Sequence, residues 1–246
     1  MSEEVDDERE FNYDVKDERG PHHWGNIKSE WSACSKGLMQ SPIDLLNEKV
    51  QIVSHLGKIQ MNYHPSNATL KNRGHDIKMD WLEDTSNIQI NETQYELKHF
   101  HWHSPSEHTI DGKQMDLELH MMHETPSGEI AVIGILYKDG DPDRFLSSLR
   151  AHFEEISDGS GEQTEVGAMD PGLVKIDTST AQYYRYIGSL TVPPCTENIT
   201  WTILSEVRSV SSEQIELLRV AVHDESDNNA RPVQPLNNRL VQLYKP

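Results

Sequence analysis

Residues 99–123 read HFHWHSPSEHTIDGKQMDLELHMMH and hold six histidines and two glutamates. Side chains on a strand alternate between faces, so residues two apart point the same way. On an extended strand His101 and His103 share one face, and Phe100 and Trp102 the other. The run 115–123 has the same period, with Glu118 and His120 on one face and Leu117 and Leu119 on the opposite one. Laid side by side, the two strands bring three imidazoles to one point. Three neutral nitrogens with a fourth position open are the ligand set of a catalytic zinc site. An HxH pair alone also occurs in histidine-rich surface patches. This one is strengthened by Glu118, two residues before His120, where its carboxylate can hold the ring's other nitrogen. Glu107, within Ser106-Glu107-His108-Thr109, adds a second carboxylate near the same strands.

Around this stretch lies a chain of 246 residues, long enough for one large domain with a substantial core. With 35% hydrophobic and 26% charged residues it has the composition of a soluble globular protein. Its 41 Asp and Glu against 22 Lys and Arg give a formal charge of −19. Such a field repels phosphate backbones, and no basic patch with interleaved aromatics offsets it, so nucleic acid is excluded as a partner. The longest strongly apolar run, 130–137, is far shorter than the ~20 residues a membrane-spanning helix needs.

The opening MSEEVDDERE lacks the basic and apolar regions of a signal peptide, as expected either of a cytosolic chain or of one whose leader has been removed. The two cysteines, Cys34 and Cys195, permit one disulfide or two free thiols. Three glycosylation sequons begin at Asn67, Asn91 and Asn198. The sequons and the cysteines favour a secretory-pathway protein (extracellular, vacuolar or plastid) whose leader has been removed.

In chain order, residues 1–10 are expected to form a solvated acidic tail and residues 11–246 a single domain. Tyr13, Trp24 and Trp31 sit among Gly, Pro and polar residues, which predicts loops and short turns packed by aromatics over 12–37. From 41 to 97, short alternating runs such as 58–63 and 87–91 are broken by Asn, Gly and Pro, the pattern of many short strands. The continuous apolar run 130–138 predicts a central buried strand. Two helices are expected. One starts at Asp141-Pro-Asp143, with apolar Phe145, Leu146, Leu149 and Phe153; the other spans 212–223 with Ser212 as its cap. Between them, Gly-, Ser- and acid-rich 156–180 reads as an exposed excursion. Gly74-His75 marks a strand start, and 189–195, SLTVPPC, a proline-stiffened loop with a central hydroxyl.

From residue 11 to 244 the chain resembles the α-class carbonic anhydrases. The similar segments are Gly20-Pro-His-His-Trp-Gly25, Gln40-Ser-Pro-Ile-Asp44, Gly74-His75, His101-Trp-His103, Ser106-Glu-His-Thr109, Glu118-Leu-His120, Gly188-Ser-Leu-Thr191 with Pro193-Pro194, and Asn229-Ala-Arg-Pro-Val-Gln-Pro235. The wording of 103–107 and 183–186 is similar to the plant branch, which includes storage and nectar proteins. The resemblance implies a mainly β single domain, built on a large twisted, mostly antiparallel sheet with surface helices, and a C-terminal segment tucked through the fold.

It also implies a zinc enzyme that hydrates CO2 reversibly to bicarbonate and a proton. The zinc ligands would be His101, His103 and His120, and the nucleophile a zinc-held hydroxide whose parent water has the pKa of about 7 characteristic of carbonic anhydrases generally. Thr191 would accept the hydroxide's hydrogen and donate its own to Glu107. Glu118 would hold His120, the Asn229 carbonyl His103, and His99 the first ligand, His101. Met122, Val132, Leu190, Val192 and Trp201 would line the substrate pocket. His75 would shuttle the proton, since an ordinary imidazole pKa near 6.5 suits that task. Cys34 and Cys195 would pair. Three departures stand out: His99 where relatives place a glutamine, Val192 where a hydroxyl follows the threonine, and Arg73 where a small amide lines the proton path. The competing function is a non-catalytic storage or binding protein on the same scaffold. Oligomeric state leaves no mark on the sequence.

Overall fold

A computed structural model describes residues 4, 10–83, 85–157, 161–221 and 228–246. The alternating runs become a mixed, mainly antiparallel sheet of thirteen strands, beside a small three-stranded sheet. At its centre Thr93–His103 pairs antiparallel with Leu117–Glu124, which pairs antiparallel with Ile130–Asp139. Ile130–Asp139 then runs parallel to Glu197–Leu204, itself antiparallel to Tyr183–Ser189. As the apolar run predicts, Ile130 to Tyr137 are all buried.

Directly opposed residues of a strand pair share a face. The register sets His101 opposite His120 and His103 opposite Glu118, so all four lie on one face. A neighbouring row crosses four strands through His99, Met122, Val132 and Trp201. The other face carries Phe100, Trp102, Leu119 and Met121, which join the largest apolar cluster. There the sheet is covered by the helix Arg144–Glu155. Its start is fixed by Asp143, whose side chain accepts the Leu146 N–H, and the four predicted apolar positions are its buried ones. Phe145 stacks on Trp102 with ring centroids 6.4 Å apart.

The C-terminal strand Gln242–Tyr244 lies inside the sheet, antiparallel to Tyr183–Ser189 and parallel to Gln51–Val53. This is the expected tuck. The first continuously described stretch is a set of turns and four-residue helices, in which Phe11, Tyr13, Trp24 and Trp31 pack together with the Cys34–Cys195 disulfide. The bridge joins positions 161 residues apart and, on the chain-entropy argument, contributes about 5 kcal/mol.

Three expectations are corrected. Residues 156–180 are not simply an excursion: Gln163–Met169 is an edge strand paired with Ser66–Asn72. Ser211, not Ser212, supplies the hydroxyl that accepts the Gln214 N–H at the start of the helix Ser212–Ala221; His223 lies outside the described residues. The acidic tail is not wholly solvated, because the Glu4 side chain is only 5% exposed.

One glycine sets a close approach. A Cβ at Gly188 would run into Ser41 Oγ and stand 2.7 Å from Tyr186 Cε2 and 3.0 Å from Trp201 Cδ1. Gly188→Ala is expected to cost about 1–3 kcal/mol of stability, read by urea unfolding; an unchanged midpoint would mean that this packing is loose.

Candidate active site

The pleat and the register together make the ligand set. One ring nitrogen from each of His101, His103 and His120 lies within 4.8 Å of the others, close enough to hold a metal ion, and His120 Nδ1 is 3.1 Å from His101 Nε2. All three rings are buried. His103 donates its Nδ1–H to the Asn229 carbonyl at 2.8 Å, which leaves Nε2 as the lone-pair nitrogen. His120 donates Nε2–H to Glu118 Oε1 at 2.8 Å, so Nδ1 carries its lone pair. His103 Nε2 has no hydrogen-bond partner among the described residues. A buried, unsatisfied imidazole nitrogen beside two others is the donor set a zinc ion completes. Burial pushes the His101 and His120 rings down from the usual imidazole range, toward the neutral form that ligates.

Glu118 is the hub beneath this set. Its Oε2 accepts the backbone N–H groups of Glu107 and His108, both at 2.8 Å. Its Oε1 accepts from His108 Nδ1 at 2.7 Å as well as from His120. Burial alone would raise this carboxyl, but attraction to the His108 and His120 rings and their hydrogen bonds hold it well below the usual range. Because His108 spends its Nδ1–H on Glu118, its Nε2 must accept, and Tyr186 O–H donates to it at 2.7 Å. Tyr186 in turn accepts from Ser41 Oγ at 2.8 Å.

Sequence reasoning gave no role to His108, Tyr186, Ser41 or Arg231. Arg231 is buried, with Nη1 on Gln40 Oε1 and the Ser41 carbonyl and Nη2 on the Cys34 carbonyl. Its backbone N–H donates to Glu107 Oε1 at 2.9 Å. Burial brings the guanidinium down to about 10. The available signal was the wording of the motifs that contain these residues, which does not say whom each one touches.

Other candidates fall less simply. Glu107 Oε2 is 3.5 Å from His103 Nε2 and has no hydrogen-bond partner among the described residues, so the expected Thr191–Glu107 bond is not formed here. Thr191 itself is buried. His99 faces His101 with ring centroids 5.2 Å apart, but His101 Nδ1 has no hydrogen-bond partner among the described residues, so the expected bond from His99 to His101 is not formed here. Met122, Val132, Leu190 and Trp201 belong to one apolar cluster with Tyr186 and Ile199. Val192 instead joins the aromatic cluster around the disulfide. His75 is 1% exposed, its ring 4.9 Å from that of Phe11, and neither nitrogen has a hydrogen-bond partner among the described residues. Burial, opposed by the Asp76 carboxylate, pushes it down to about 4.

The eukaryotic-type carbonic anhydrase model matches residues 19–245. Alpha carbonic anhydrase 7 of Arabidopsis thaliana is 55% identical over 243 residues, covering 99% of this chain and 88% of that protein. The crystal structure of dioscorin complexed with ascorbate has a TM-score of 0.92 at 42% identity, over 96% of this chain and 98% of that one. The α-carbonic anhydrase of Thermovibrio ammonificans, in complex with the inhibitor sulfanilamide, gives 0.84 at 33% identity, over 94% and 98%. The family match runs through both ligand strands and the loop that holds His103, and the three imidazoles converge where the motifs place them. The chain belongs to the eukaryotic-type carbonic anhydrases.

Proposed function

We propose that the protein is a zinc-dependent carbonic anhydrase that interconverts CO2 with bicarbonate and a proton. The observation that carries this is the convergence of three buried imidazoles, two with their second nitrogen already committed to Asn229 or Glu118. His101, His103 and His120 would hold the zinc. Bound there, zinc supplies Lewis acidity that makes a water nucleophilic near neutral pH.

The chain's residues do the rest. Asn229 and Glu118 fix the tautomers of His103 and His120, so that each presents a lone pair and no N–H to the centre. Glu107, anchored by the Arg231 N–H, keeps one oxygen uncommitted beside His103. We assign it the task of accepting the Thr191 O–H, which leaves the threonine oxygen to accept a hydrogen bond from the nucleophile and orient it, with no proton transferred. Met122, Val132, Leu190 and Trp201, which share one apolar cluster and whose one polar group, the Trp201 indole N–H, is spent on the Ser189 carbonyl, are assigned as the wall for a small uncharged substrate.

His75 is the proposed proton relay by its place in Gly74-His75, and relaying requires a conformation in which its buried ring meets water. His75→Ala is expected to lower kcat at least about tenfold in weak buffer, with recovery on adding imidazole. An unchanged kcat would assign the proton path elsewhere. The exposed asparagines of the three sequons, Asn67, Asn91 and Asn198, and the disulfide support a glycosylated product of the secretory pathway.

The deciding measurement is zinc content on protein purified without added metal, followed by stopped-flow CO2 hydration. About one zinc per chain with fast hydration is expected. No zinc, and no rescue by adding it, would leave a storage or binding protein on this scaffold.

A further inference from the structure

Two departures noted in the sequence, Arg73 and His99, meet the same group. Arg73 is buried, and Asp76 takes one edge of its fork, accepting from Nε at 2.6 Å and from Nη2. Nη1 donates to the carboxylate of Glu4 at 3.0 Å. The same Glu4 oxygen is 3.5 Å from His99 Nε2, and its other oxygen is 3.9 Å from the ligating nitrogen of His101. A buried carboxylate is tolerated only where cations and N–H groups compensate it. An arginine edge suits such a group because its N–H geometry matches a carboxylate.

We infer that Arg73 and His99 form a subsite for small carboxylate anions beside the metal centre, and that the chain's own Glu4 fills it. The inference deepens the proposed function and takes from it only the position of the metal. A carboxylate on the same chain competes at an effective concentration on the order of millimolar. External carboxylates must outcompete it. Neutral CO2 need not, because its proposed pocket is the apolar wall of Met122, Val132, Leu190 and Trp201. Glu4 thereby sets the threshold at which carboxylates reach the cleft.

The test is acetate binding to the zinc-loaded chain by calorimetry, comparing wild type, Glu4→Ala and Glu10→Ala, with zinc assayed on each sample. Glu10 pairs with Lys28 near the surface and controls for lost charge alone. Glu4→Ala is expected to bind acetate at least tenfold more tightly than wild type, and Glu10→Ala to bind it as wild type does. The gain should vanish when Arg73→Met and Asp76→Asn, which remove the charge pair together, are added to Glu4→Ala. Equal affinity in wild type and Glu4→Ala overturns the inference. So does a gain that survives the triple substitution, since acetate would then sit on the metal or elsewhere. Absence of zinc would count against the proposed function alone, because a carboxylate on Arg73 and His99 needs no metal.

Discussion

Glu118→Gln is expected to weaken zinc binding by about 10- to 100-fold and to destabilise the metal-free fold by about 3 kcal/mol or more. The reason is a count of donors. Glu118 Oε2 accepts two backbone N–H groups, and Oε1 accepts N–H from His108 and His120. A glutamine offers an oxygen to one pair and an NH2 to the other. In either orientation two N–H donors face a third donor in a buried site, and an unsatisfied buried group costs its full desolvation. If the NH2 faces the rings, His120 loses the acceptor that fixes its tautomer. If it faces the backbone, the turn carrying Glu107 and His108 is pushed away.

The pH dependence follows the same residue. Its folded-state pKa is depressed, so its contribution is fully present above the unfolded value of about 4.3 and is lost as pH falls below that. The wild type should therefore lose stability on acidification below about pH 4 with a steeper slope than Glu118→Gln. Chelator competition gives the zinc affinity, and urea unfolding of metal-free protein at pH 7 and at about pH 3 gives the rest. Unchanged affinity together with unchanged stability would show that the four hydrogen bonds carry little.

What the sequence revealed and what it hid divide along locality. The ligand strands and the helix Arg144–Glu155 were legible because a period of two and an Asp143 cap are written within a few residues. The chain from Ser41 through Tyr186 and His108 to Glu118 was not. Ser41 and Tyr186 are 145 positions apart and Tyr186 and His108 are 78 apart, and a lone Ser or Tyr in the sequence names no partner. Edge strand Gln163–Met169 was missed because its alternation is weak: only Thr164 is buried, Val166 and Met169 are partly buried against the core, and the register shifts between Glu165 and Gly167. The tail misled in the opposite way. A run of acids reads as solvated unless its cation is known, and for Glu4 that cation is Arg73, 69 positions later. The Thr191–Glu107 and His99–His101 bonds came from the family resemblance rather than from local pattern, and neither is formed here.

The second large effect separates a ligand from a merely buried histidine. His103→Ala is expected to reduce CO2 hydration to the background rate and to abolish zinc-dependent stabilisation. A ligand at 1,000 times its dissociation constant stabilises the state it binds by about 4.1 kcal/mol, so wild type should melt well above its metal-free form. The variant should melt at one temperature with or without zinc. The matched comparison is His123→Ala, on the same strand as His120. His123 is fully buried too, but beyond an irregularity in the pairing with Thr93–His103, and its Nε2 meets the Tyr63 hydroxyl at 2.7 Å instead of the ligand set. Removing it leaves a cavity and an unpartnered tyrosine, which should cost about 2 kcal/mol or more. Zinc should still raise its melting temperature by the wild-type increment. A zinc-induced shift retained in His103→Ala would sink the ligand assignment. A shift lost equally in both variants would mean that zinc responds to the integrity of the paired strands and not to the three nitrogens that converge on their shared face.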